Sequence, residues 1–282
     1  MKAGLLIILR SKESGLISDK QFMKYIRFAA ICLILVLSKT LVQSQSLPVG
    51  TRALEDFYRR VQLSGQGDSL VSYTIRPVFS ASPSNLSEMY YPDTTEAGFD
   101  LLEIGAGNWK SADGKFVVSL LPFNFQLQFN SRHPYGWNDG AMIPAKGIQN
   151  LISGGAYASY GHLSIQLNPE LLLADNPSFE GFSKEHYDVI AARYYDFYNF
   201  TDLPQRFGTE SWSKLYWGQS SIRLNFDPVS FGLSTENLWW GPGIRNSLLM
   251  SNTAPGFKHL TLNTSRPVQT RLGTFEGQLV AG

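Results

Sequence analysis

The stretch Glu236-Asn-Leu-Trp-Trp-Gly-Pro-Gly-Ile-Arg-Asn246 gathers the side chains that carbohydrate recognition uses. An indole such as Trp239 or Trp240 can stack on the face of a sugar ring. Glu236, Asn237 and Arg245 can supply hydrogen bonds to hydroxyls or to acidic groups. The same stretch fits a second role, in which Trp239 and Trp240 belong to an aromatic girdle at a membrane interface and Gly241-Pro242-Gly243 makes a turn. Both roles stay open at this point. Trp137, with Asn138 and Asp139, is a weaker set of the same kind. The segment from His186 to Phe200 has apolar spacing compatible with a short helix and reads first as a plug that packs on itself. Signatures of catalysis are missing from the sequence. The four histidines (His133, His162, His186 and His259) are scattered without metal-ligand spacing. No Gly-x-Ser-x-Gly elbow and no phosphate-cradling glycine loop occurs. A non-catalytic binding protein is expected, with no cofactor and no metal.

The elements that position these residues are strands. Leu121, Phe123, Phe125, Leu127 and Phe129 alternate with Asn124, Gln126, Gln128 and Asn130. Leu163, Ile165, Leu167, Pro169, Leu171 and Leu173 alternate with Ser164, Gln166, Asn168 and Glu170. Ile222, Leu224 and Phe226 oppose Ser221, Arg223 and Asn225, and Val229, Phe231 and Leu233 oppose Ser230, Gly232, Ser234 and Glu236. Val71, Tyr73, Ile75, Pro77 and Phe79 alternate with Ser72, Thr74, Arg76 and Val78. Successive side chains of a strand point to opposite faces, so each segment has one apolar and one polar wall. A soluble sandwich alternates too. Here, however, the polar wall is mostly neutral Gln, Asn and Ser, which suits a crowded lumen better than a solvated face.

Connection lengths point the same way. The turns at 111–114, at Gly161-His162 and at Asp227-Pro228 are short, and the connections between them are long. Strict alternation of short and long connections is the habit of outer-membrane barrels, whose periplasmic turns are short and whose outer loops are long. Placing the mature N-terminus in the periplasm makes 71–79 the first ascending strand and gives about nine strands, the last running from Gly273 to Gly282. An open edge in lipid leaves backbone groups unpaired, so the chain is expected to be the N-terminal part of a longer barrel.

Met23 begins a basic, then apolar, then small-residue pattern: Lys24 and Arg27, the run Phe28–Leu37, and a cleavage point after Ser44. This is a secretory signal, and Lys39 cuts the apolar run short of the ~20 residues that a membrane helix needs. The domain reading is a signal peptide with an upstream extension over 1–44, a periplasmic helical segment over 45–68, and an incomplete barrel over 69–282. In the second, Leu54, Phe57, Tyr58 and Val61 share one helix face. Cys32, the sole cysteine, lies inside the signal, which leaves the mature chain without thiol chemistry. With 24 Lys+Arg against 23 Asp+Glu, no strong field recruits nucleic acid.

The runs Ser234–Asn252 and Pro255–Thr264, together with Tyr135–Gly147, Gly154-Gly155 and the helix carrying Leu54-Glu-Asp-Phe-Tyr58, resemble Wzi-type capsule assembly proteins in their Bacteroidetes-like form. The likeness covers most of the chain after about residue 48, and Trp-Trp-Gly-Pro-Gly is its most specific part. It implies an all-β, antiparallel outer-membrane barrel of roughly eighteen strands, about half of them present here. It also implies a monomeric surface lectin in outer-membrane lipid that anchors capsular polysaccharide or exopolysaccharide. Two alternatives accompany it. One is a porin with Arg76 and Arg223 lining its lumen. The other is an enzyme on surface glycans, which needs two carboxylates in one pocket.

Overall fold

The structure is a computed structural model that describes residues 46–65, 71–79, 109–179 and 207–282. The signal peptide with Cys32, the strand expected near 98–109 apart from its last residue, and the segment from His186 to Phe200 lie outside them.

The described elements are β1 (Ser46–Leu47), α1 (Arg52–Leu63), β2 (Ile75–Arg76), β3 (Val78–Phe79), β4 (Trp109–Lys110), β5 (Phe116–Tyr135) and β6 (Ala145–Tyr160). They continue with β7 (Leu163–Leu167), β8 (Glu170–Ala174), β9 (Trp212–Tyr216), β10 (Ser221–Phe226) and β11 (Val229–Ser234). The last are β12 (Trp239–Trp240), β13 (His259–Thr264), β14 (Val268–Thr270), β15 (Gly273–Phe275) and β16 (Gln278–Ala281). Among the described residues the protein is all-β apart from α1, and the strands pair antiparallel. One ten-stranded sheet runs β16-β13-β11-β10-β7-β6-β5-β4, with β8 pairing β6 and β9 alongside. Among the described residues it does not close, and β4 and β16 are its edges.

Strand neighbours in sequence are neighbours in space, as in a meander. The short turns meet at one end: Gly161 N–H donates to Lys115 O at 3.3 Å, Asn225 N–H to His162 O at 2.8 Å, and Ser265 N–H to Pro228 O at 2.7 Å. The long connections, 136–144, 175–211 and 235–258, leave the opposite end. Between β7 and β8 the chain kinks at Asn168-Pro169, opposite Gly154-Gly155. A Cβ on Gly155 would stand 1.7 Å from Leu167 O, so only glycine permits this approach.

The sheet is inverted relative to a water-solvated one. Arg223 and Asn225 are 2% and 0% exposed, while their strand neighbours Ile222 and Leu224 are 49% and 43% exposed. The same alternation holds in β11 and β13: Ser230, Ser234, His259, Thr261 and Asn263 are buried, and Val229, Phe231, Leu233, Leu260 and Leu262 face out. Several inner-wall side chains bond one another, while His259 Nε2 and Ser265 Oγ have no hydrogen-bond partner. Asn225 Nδ2 donates to Ser164 Oγ at 2.8 Å, and Ser230 Oγ donates to Asn225 Oδ1 at 2.8 Å. Pairing offsets the cost of burying a polar group there.

Two expectations need correction. Leu121 does not share a face with Phe123 and Phe125. The register of β5 against β6 shifts between Leu121 and Asn124, which swaps the faces, and Leu121 is buried inside beside Val117. Residues 71–79 are not a strand of the main sheet. They break into β2, which pairs β12, and β3, which pairs β1. Pro77 has no N–H to give a central ladder. The helix α1 lies against the inner side of the sheet. Leu54 and Tyr58 pack on an inner cluster of Leu47, Val117, Leu121 and Tyr157. Residues 46–65 and 71–79 thus form a filling for the polar side of the sheet.

Candidate functional site

The stretch after β11 turns inward. Glu236 continues the inward phase of Ser230, Gly232 and Ser234 and is 0% exposed. Its Oε2 accepts from Arg223 Nη2 at 2.6 Å and from Ser234 Oγ at 2.8 Å, and Ser46 Oγ donates to its other oxygen. Arg223 also donates through Nη1 to Asn263 Oδ1 at 2.9 Å, and its guanidinium lies over the Phe79 ring. Burial alone would raise the Glu236 carboxyl. The Arg223 charge and the bonds from Ser46, Arg223 and Ser234 outweigh it and hold the group below the usual carboxylate range.

Asn237 is buried as well. Its Nδ2 donates to Asn252 Oδ1 at 2.8 Å and to Ala254 O at 2.7 Å, and its Oδ1 accepts from Gln219 Nε2 at 3.0 Å. Trp239 is buried, with its indole N–H on Gly243 O at 3.0 Å and Arg76 over its ring. Trp240 is half-buried and donates its indole N–H to Gln278 Oε1 of β16 at 2.7 Å. Arg76 ties this stretch to the helix, donating Nη1 to Gly241 O at 2.9 Å and Nη2 to Glu55 Oε1 at 2.6 Å. The polar atoms of Glu236 and Asn237 and the indole N–H groups are therefore committed to partners within the chain.

Trp137 and Arg245 stand apart from that network. Trp137 is 47% exposed and Arg245 is also exposed. The structure brings their loops together: Asn138 Nδ2 donates to Arg245 O at 2.7 Å, and Gly140 N–H donates to Asn252 O at 2.7 Å. Beside them, Ala141, Met142 and Ile143 fold onto Ala145, Leu151, Leu172 and Ala174 in a second inner cluster. This packing fixes the loop that carries Trp137. Burial raises the Asp139 carboxyl above its ordinary value, and the bond from Trp137 N–H only partly opposes this.

Four participants were missed at the sequence level: Ser46, Glu55, Asn252 and the pairing of Arg223 with Glu236. The phase of β11 was a usable signal for Glu236. Nothing local identifies a partner such as Ser46, which lies 190 residues away. Among the described residues no group of three or more His, Cys, Asp or Glu could hold a metal ion. Compared with known proteins, the chain matches no family model, no curated protein and no solved structure.

Proposed function

We propose that this chain belongs to an outer-membrane β-barrel that binds and anchors capsular polysaccharide or exopolysaccharide at the cell surface without chemically altering it. The observation that carries the membrane part is the inverted sheet. A row of exposed Leu, Ile, Val and Phe backed by buried Arg, Glu, Asn and Ser is stable where lipid, not water, meets the outer face. In lipid the edges at β4 and β16 require strand partners, so the barrel closes through pairing beyond the described sheet.

The glycan part rests on the resemblance to Wzi-type proteins and on Trp137 and Arg245, an exposed indole and an exposed guanidinium on two joined loops at the long-loop end. Stacking on the indole and hydrogen bonds from the guanidinium suit a sugar chain at that end. Glu236, Asn237, Trp239 and Trp240 act in this scheme by holding the loops that carry these two. A pore is disfavoured, because Arg76 and Arg223 are 3% and 2% exposed and already paired. Two carboxylates, Asp139 and Glu170, do line one cavity, which is the arrangement a glycan-cleaving enzyme asks for. Release of reducing ends from purified capsule would favour that second reading.

The test expresses the full chain and follows heat-modifiable gel mobility in the outer-membrane fraction together with capsule retained on cells. Trp137→Ala combined with Arg245→Ala is expected to keep the mobility shift and lose most of the retained polysaccharide. A soluble, unshifted protein would remove the membrane assignment. Full retention in the double variant would remove the binding assignment.

A further inference from the structure

The inner side of the sheet is not filled evenly. Between the first turn of α1 and the strands β5, β6 and β8 lies an open cavity of about 370 Å³. That volume falls in the range of small-molecule sites, roughly 300–1,000 Å³. Its wall carries Asn124 and Gln126 of β5, Asp139, and Asn168 and Glu170 from the kink between β7 and β8. Two of these groups are buried acceptors without partners. Asn168 and Glu170 are 5% and 7% exposed, and neither Asn168 Oδ1 nor Glu170 Oε2 receives a hydrogen bond. Gln219 Nε2 donates to Glu170 Oε1 at 3.1 Å, which fixes the side chain and leaves Oε2 without a hydrogen-bond partner in the wall of the cavity. The facing wall supplies donors. Thr51, Arg52, Ala53 and Leu54 line it at the start of α1, and Thr51 Oγ1 donates to Pro48 O at 2.6 Å instead of capping the helix. The Arg52 N–H donates to Gly50 O at 2.9 Å, and the N–H groups of Ala53 and Leu54 lack the side-chain partner a cap would give.

A buried acceptor left unpaired costs about 1–3 kcal/mol, so a molecule that brings donors to one wall and acceptors to the other is favoured there. A hydroxyl does both. Two carboxylates against the single guanidinium of Arg52 disfavour an acidic molecule. We propose that this cavity is a subsite for one or two neutral pyranose units. The inference deepens the glycan-binding function proposed above and rests on it, but it concerns residues distinct from Trp137 and Arg245.

The test uses the full chain folded in detergent micelles and titrated by calorimetry and saturation-transfer NMR. The probes are the methyl α-pyranosides of glucose, galactose and mannose, with glucuronate as the acidic probe. One neutral glycoside is expected to bind with a Kd on the order of 1 mM. Glu170→Gln turns the free acceptor into a donor and is expected to weaken binding about tenfold. Ala53→Trp fills the cavity from an exposed helix position and is expected to abolish it. Absence of binding by every neutral glycoside means that the cavity holds water only, and overturns the proposal. Binding that survives both Glu170→Gln and Ala53→Trp, or a preference for glucuronate, also overturns it. If cells retain capsule through Trp137 and Arg245 while no glycoside binds, the cavity proposal falls alone. If glycosides bind in the cavity while the cells retain no capsule, the anchoring function falls and the subsite stands.

Discussion

The inner wall formed by β10, β11 and β13 and the inner wall formed by β5, β6 and β8 follow one sequence rule, yet they end in different states. On the first, residues 46–47, 76–79 and 236–240 lie against the strands, and Arg223, Glu236, Ser46, Asn263 and Gln166 are all hydrogen-bonded. On the second, Asn124 and Gln126 remain exposed and Asn168 and Glu170 keep unpaired oxygens. Alternation decides which side chains face inward. What they meet there is decided by segments far away in the chain, and that contact separates a structural wall from one able to receive a ligand.

The sharpest way to break the first wall is Glu236→Ala. Removing one partner of a fully buried ion pair leaves Arg223 uncompensated and should cost about 3–5 kcal/mol, read as a lower urea midpoint in micelles. Arg223→Met combined with Glu236→Leu should recover most of that loss, because the orphaned charge is gone. A double variant as unstable as the single one would show that the polar bonds, not the charge balance, hold this wall.

Next in size is Arg76→Ala, which removes the bridge between Glu55 of α1 and the Gly241 carbonyl. A loss of about 2 kcal/mol is expected, with early proteolysis in 46–79 and an intact mobility shift. Acid should produce a related effect. The folded Glu236 carboxyl lies below its ordinary value of 4.5, so its contribution to stability is complete above that pH and is lost as the pH falls through the lowered value. Residues 46–79 should become protease-sensitive in that acidic window, and Glu236→Gln should show no such acid transition.

The second wall should respond weakly. Glu170→Gln is expected to move the unfolding midpoint by less than about 1 kcal/mol, since the altered oxygen has no protein partner. Asp139→Asn is the smallest change. Burial raises the Asp139 carboxyl, so the charged form weakens the fold at neutral pH. The variant should be slightly more stable there, and its advantage should vanish in acid as the native carboxyl takes its proton. A large loss in either variant would mean that the two walls do not differ as described.

Much of the sheet was legible from residues alone. The faces of β7, β8, β10, β11 and β13 follow directly from period-two alternation, and the turns at 111–114, Gly161-His162 and Asp227-Pro228 fall at one end. Leu121 was assigned to the wrong face because a β-bulge adds a residue without changing the apolar pattern. Residues 71–79 alternate well but pair two residues at a time with separate partners, a choice made by tertiary contact. In the candidate site, residue types suggested sugar contacts at Glu236, Asn237 and Trp239, and they could not reveal that all three are buried. The kink that exposes Asn168 and Glu170 to a cavity arises where Gly155 admits the Leu167 carbonyl.

The bond between Ser46 and Glu236 spans 190 residues, and that between Arg76 and Gly241 spans 165. Contacts of such range form late, because the intervening chain must first give up its freedom. Until then Arg223 and Glu236 have each other but lack the cover of Ser46 and Phe79, and the segments that carry these two have no wall to lie on. Residues 46–47 and 75–79 are thus a keystone set last, and during assembly they have to be kept from pairing elsewhere while the strands that will receive them are laid down.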